Sequence, residues 1–142
     1  MLVWVLMCVF IFKTCIMLLL GFLFTVAQAG PASEYAPYLD SIAKKLVAWS
    51  NGEVKLLFAL TSPMLNSVAT DTIILNNNKA AQAIMDKYKI PTIDLHQPII
   101  DKCGQVPQPS CFNHTGCWSP HCPAGYAWLA NSTVAPAIKN LL

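Results

Sequence analysis

Apolar and polar positions alternate along most of the chain in a way that predicts helices and strands in turn. Residues 33–49 repeat apolar side chains at three- and four-residue steps, which predicts an amphipathic helix. Residues 54–60 are almost entirely apolar, as in a buried parallel strand. The same two patterns then predict a second helix over about 72–88 and a short strand over 92–95.

The repeat in the first helix defines its expected core face. The apolar side chains that recur there are Tyr35, Tyr38, Leu39, Ile42, Leu46 and Trp49. We therefore predict that the aromatic residues of this helix belong to the core.

A brief helix near 98–100 and a last helix over about 124–142 complete the pattern, and Pro136 is expected to kink or split the last one. Helices that alternate with strands predict an α/β fold, in which a parallel sheet carries helices on both faces. Only two strands are recognisable. As an α/β domain the chain therefore looks incomplete at its N-terminal side.

The first 29 residues form a separate and strongly apolar segment, interrupted by Lys13. The segment ends at Ala27-Gln28-Ala29, a small-x-small site that signal peptidase recognises. Residues 1–29 are therefore predicted to be a signal peptide, and residues 30–142 the folded domain of a secreted protein. The alternative is an uncleaved single-pass membrane anchor, because the apolar run exceeds the roughly 20 residues that span a bilayer.

Composition excludes several classes of protein. The 142 residues carry a net charge of +2 and have a mean hydropathy of +0.48, and the apolar excess lies mainly in the first segment. Without a basic stripe we expect no nucleic-acid partner. Contact with a membrane is expected only through residues 1–29, if they are retained.

The cysteines agree with an oxidising compartment. Four of them lie close together as an even set, Cys103, Cys111, Cys117 and Cys122. They predict two disulfides, with three possible pairings. A zinc site that includes His114 or His121 is the alternative, although the spacing lacks the usual CxxC pairs. We expect no metal and no cofactor.

Two sequons, at Asn113 and Asn131, are candidate N-glycosylation sites in a secreted chain. Other polar residues have structural interpretations. His96 is expected at a helix start, Asp94 is expected to cap the helix that follows, and Ser62 is expected in a turn at a strand end.

One loop suggests chemistry. His121 lies just before the helical sequence Gly125-Tyr126-Ala-Trp-Leu129-Ala130. This arrangement resembles the last conserved block of the SGNH (GDSL-type) hydrolases. The resemblance implies that His121 is the general base. The family places an Asp three residues before this His, where the present chain has Trp118.

The resemblance extends over most of 33–142 in the same order. Residues 54–64 resemble the family strand that ends in a Thr-Thr-Pro-like turn, and residues 76–100 resemble a helix followed by an "i-x-v-x-D-L" strand. Residues 33–49 look like the helix that precedes them. The resemblance implies the C-terminal half of a flavodoxin-like domain, that is, a partial parallel sheet with flanking helices behind the apolar leader.

The function that the resemblance implies is hydrolysis of a carboxylic or acetyl ester on a carbohydrate or lipid. A histidine base would activate a serine hydroxyl, and backbone amides would stabilise the oxyanion. The family's Gly-Asp-Ser block and both oxyanion blocks have no counterpart in this sequence. We therefore predict little or no activity for the chain alone. The alternatives are a secreted, disulfide-stapled, non-catalytic binding domain and a fragment of a longer enzyme.

Overall fold

The computed structural model describes residues 3–11, 14–22, 31–63, 68–108, 111 and 123–142. The elements are β1 (Val3–Ile11), β2 (Thr14–Phe22), α1 (Ala32–Ser50), β3 (Val54–Ala59), α2 (Val68–Lys87), β4 (Thr92–Ile93), α3 (Gln97–Cys103), α4 (Pro123–Leu129) and α5 (Ala135–Leu141). A π-helical turn, Ala130–Val134, joins α4 to α5. The helices and strands predicted after residue 30 are confirmed, with boundaries shifted by a few residues.

The strands form one sheet in the order β1-β2-β3-β4. Strands β2, β3 and β4 are mutually parallel, and β1 runs antiparallel to β2. The predicted α/β class with a parallel sheet is therefore confirmed, but the count of two strands is wrong. The two additional strands lie in the apolar segment 1–29. An unbroken apolar run is typical both of a leader and of a strand buried on both faces, so the pattern alone does not distinguish them.

Helices cover both faces of β3. On one face, α1 and α2 pack around Phe58, and their fully buried contacts include Leu39, Ala43, Ala81 and Met85. On the other face, Leu57 and Ile93 contact the π-helical turn and α5 through Val134, Ala137, Ile138 and Leu141. This two-sided burial follows from the strand period of two, which sends successive side chains of β3 to opposite faces.

Left-handed residues end the two long helices. After α1, Asn51 has φ 46° and Gly52 has φ 77°. After α2, Lys89 has φ 56°, and the amide of Ile90 donates to the carbonyl of Met85 at 2.9 Å. This is a Schellman ending, which stops α2 and turns the chain into β4.

The predicted break in the last helix is confirmed. Pro136 has no amide hydrogen, and its ring would clash with the carbonyl of the preceding turn of an α-helix. The chain widens just before it into the π-helical turn, in which the Ala135 amide donates to the Ala130 carbonyl. Among the described residues, no helix combines the length and the hydropathy needed to cross a bilayer.

The core face predicted for α1 is wrong at two aromatic residues. Leu39 is completely buried, but Tyr38 is 71% exposed and Trp49 is 62% exposed. The apolar stripe predicted for α1 is wider than the face of the helix that packs on the sheet. At 100° per residue, Tyr38 and Trp49 lie about 20° apart, and Leu39 lies about 100° from Tyr38. Only the arc around Leu39 faces the sheet.

Candidate functional site

The candidate site lies at the carboxyl edge of the sheet, where β3 and β4 end together. Ala59 pairs with Ile93, and the Leu60 amide donates to the Ile93 carbonyl at 2.8 Å. Ligands of open parallel sheets bind beyond the carboxyl ends of the strands. A ligand site of this sheet is therefore expected among the residues that directly follow β3 and β4.

A buried histidine–aspartate pair occupies the edge. His96 Nε2 lies 2.8 Å from Asp71 Oδ1, and the two side chains are only 7% and 10% exposed. Asp71 belongs to the first turn of α2, and His96 is the N-cap residue of α3. The pair therefore joins the starts of two helices that follow different strands.

Asp94 fixes the backbone of this histidine. Its Oδ1 accepts hydrogen bonds from the amides of His96 at 2.8 Å and Gln97 at 3.2 Å. The predictions that Asp94 caps α3 and that His96 starts it are confirmed. The contact with Asp71 was not predicted, because no local pattern reports a partner that lies 25 residues away.

Asn78 of α2 holds the chain where it leaves β3. Its Oδ1 accepts from the Thr61 amide at 2.8 Å, and its Nδ2 donates to the Thr61 carbonyl at 2.7 Å. The side-chain amide thus imitates a neighbouring strand for one residue beyond the sheet. These two bonds hold Thr61 directly after β3, next to Ser62.

The chemistry open to this edge follows from the bonds that His96 makes. In a serine hydrolase one ring nitrogen contacts an orienting carboxylate and the other faces the nucleophile. Asp71 supplies a carboxylate to Nε2, but the described residues bring no serine hydroxyl to the His96 ring. Within the described chain the pair connects the first turn of α2 to the start of α3.

The predicted base lies elsewhere: His121 is outside the described residues. Cys117, Cys122 and Asn113 are outside them as well. Asn131 is described, and it is exposed on the π-helical turn. This position is accessible to an N-linked glycan.

The structure selects one of the three predicted disulfide pairings. Cys103 and Cys111 are bonded, with their Cα atoms 5.6 Å apart. This bond leaves Cys117 and Cys122 as the second predicted pair. As for the zinc alternative, the part of the chain that the structure describes holds no group of three or more metal-ligating side chains.

Replacing both Cys103 and Cys111 with Ser is expected to lower the free energy of unfolding by about 2–3 kcal/mol, because the bond closes a short loop and restricts the unfolded chain. Urea denaturation followed by circular dichroism measures the loss. Reduction of the wild-type chain is the control, and it should reproduce most of the effect. Equal stability of the serine variant and the wild type would contradict the bond.

Charged contacts away from the edge connect the helices. Lys87 Nζ lies 2.7 Å from Asp40 Oδ1, and the Tyr88 hydroxyl donates to Asp40 Oδ2 at 3.2 Å. The hydrogen bond from Lys87 lowers the pKa of Asp40, and the same bond raises the pKa of Lys87. Because water screens this pair, it adds little to stability and instead fixes the orientation of α1 against α2.

No protein-family model matches the chain, and no curated protein matches it significantly.

Proposed function

We propose that the chain is an SGNH hydrolase-like domain of the ester-hydrolase type that alone turns over esters little or not at all. The observation that carries this proposal is the environment of His96 at the carboxyl edge of the sheet. His96 is buried, and its Nε2 contacts Asp71. It connects the starts of α2 and α3, and His121 remains the candidate base.

The set of catalytic residues that the sequence offers supports the same proposal. Ester hydrolysis by this route needs a serine nucleophile, a base with its orienting acid, and donors for the oxyanion. His121 is the base that the sequence motif offers, and Trp118 stands where the motif has its acid. The Gly-Asp-Ser block has no counterpart. One member of a triad without its nucleophile supplies little of the rate enhancement.

Hydrolysis of p-nitrophenyl acetate tests the proposal. We expect the chain to hydrolyse the ester no faster than a His121→Ala variant, because a base without a nucleophile has nothing to activate. A His114→Ala variant, which removes another histidine and keeps the Asn113 sequon, is the matched control. A working base contributes about 10²–10⁴-fold, so a loss of that size in His121→Ala alone would refute the proposal.

A second candidate is a secreted, non-catalytic binding domain stapled by disulfides. The Cys103–Cys111 bond favours it, because such bonds persist in oxidising compartments. In that role the carboxyl edge would hold an ester-bearing carbohydrate or lipid without cleaving it. Secretion itself is part of this proposal, and residues 1–29 would direct it.

A further inference from the structure

Helix α1 has an exposed face that lies away from its contact with α2. Four exposed side chains share an arc of about 60° around the helix axis, and we call them the α1 face. They are Glu34, Tyr38, Lys45 and Trp49. Asp40, whose carboxylate binds α2, lies at least about 120° from each of them around the axis. The α1 face is therefore separate from the contact between the two long helices.

The order of these residues along α1 is symmetric. Tyr38 follows Glu34 by four residues, and Trp49 follows Lys45 by four. A twofold axis perpendicular to the helix at the midpoint of the α1 face therefore places Tyr38 opposite Lys45 of a second copy. The same axis places Glu34 opposite Trp49 of that copy, about one helical turn from its Lys45.

We propose that the α1 face pairs antiparallel with the same face of a second copy of this chain. In this dimer the Lys45 ammonium lies over the Tyr38 ring of the other copy, in a cation–π contact. The Glu34 carboxylate accepts a hydrogen bond from the Trp49 indole N–H of the other copy and attracts its Lys45 ammonium. Each contact occurs twice, because a twofold interface is isologous. This inference goes beyond the proposed ester chemistry and does not depend on it.

Charge complementarity favours a second copy in this orientation. The α1 face carries one acid and one base, so the acidic end of each copy meets the basic end of the other. A parallel pair would instead bring Glu34 against Glu34 and Lys45 against Lys45, and like charges oppose association. Because its two charges cancel, the α1 face has no net attraction for an anionic or a cationic surface.

Sedimentation velocity of the full 142-residue chain tests the proposal. Four side chains per copy form a small interface, so we expect a dimer with a dissociation constant of about 10–100 µM. The measurements therefore cover chain concentrations from about 1 to 300 µM.

Two charge reversals make the test specific for the α1 face. Lys45→Glu gives each copy two acids on this face, and Glu34→Lys gives each copy two bases. Each variant alone is expected to dimerise about tenfold more weakly than the wild type or less, because like charges then meet across the axis. An equimolar mixture of the two variants is expected to restore dimers, because each acidic face meets a basic one.

Two reversals outside the α1 face are matched controls. Lys44→Glu and Asp101→Lys make the same changes of charge at exposed positions, the first on the Asp40 side of α1 and the second on α3. Both should dimerise as the wild type does. Because every substituted side chain is exposed, the variants should fold, which far-UV circular dichroism checks.

Three results would overturn the proposal. The first is a wild-type chain that stays monomeric over the whole concentration range, which would leave the α1 face to a partner other than a second copy. The second is a dimer that Lys45→Glu and Glu34→Lys leave unchanged, which would place the contact on another surface. The third is a mixture of these two variants that dimerises no better than each variant alone.

Discussion

Replacing His96 with Ala should lower the free energy of unfolding by about 3–5 kcal/mol. The substitution leaves the Asp71 carboxylate buried without the imidazole that contacts it at 2.8 Å. An uncompensated buried charge costs more than a buried neutral group. Asp71→Ala, which leaves the His96 ring without its carboxylate partner, should therefore cost less, about 1–3 kcal/mol. Urea denaturation followed by circular dichroism measures both losses.

A double-mutant cycle separates the interaction energy of His96 and Asp71 from the other effects of each substitution on stability. The double variant should be more stable than the sum of the single losses predicts, because the second substitution removes the group that the first left without a partner. Gln97→Ala, an exposed change at the first residue of α3, is the control and should cost little. Additive losses for His96 and Asp71 would show that the two side chains do not interact in solution.

The second large effect is expected from two adjacent residues of α1. Leu39→Ala should cost about 2–5 kcal/mol, because Leu39 is fully buried in the cluster that includes Phe58 and Met85. Tyr38→Ala should change stability by no more than about 0.5 kcal/mol, because its side chain is largely exposed.

This comparison tests the orientation of α1 directly, since the two substitutions differ by one position in the same helix. Thermal unfolding of both variants against the wild type is sufficient. Equal losses, or a larger loss for Tyr38, would place Tyr38 in the core and contradict this orientation of α1.

The local pattern of apolar and polar residues is enough to predict much of the fold. The unbroken apolar run of β3 predicts a parallel strand, and helical periodicity locates α1 and α2. Pro136 marks the break in the last helix because its effect on the backbone is local. Asp94 could be assigned as a cap for the same reason, since its partners lie two and three residues away.

Features set by tertiary contacts could not be predicted in this way. Asp71 reaches His96 only after the crossover from β3 to β4 has formed. Strand β2 depends on pairing with β3, from Cys15 beside Val54 onwards, and its apolar sequence equally predicts a leader. The exposure of Tyr38 and Trp49 depends on how much of α1 the sheet covers, which periodicity does not report.

Intact mass after treatment with a fluorophosphonate tests the central claim most directly, because this reagent adds covalently to the activated serine of a serine hydrolase. A known serine esterase treated in parallel serves as the positive control. We expect the 142-residue chain to keep its mass while the control gains one adduct, because the Gly-Asp-Ser block that carries the family's nucleophile has no counterpart in the sequence. A single adduct on a serine of the chain, lost in His121→Ala, would contradict the account and identify a working esterase.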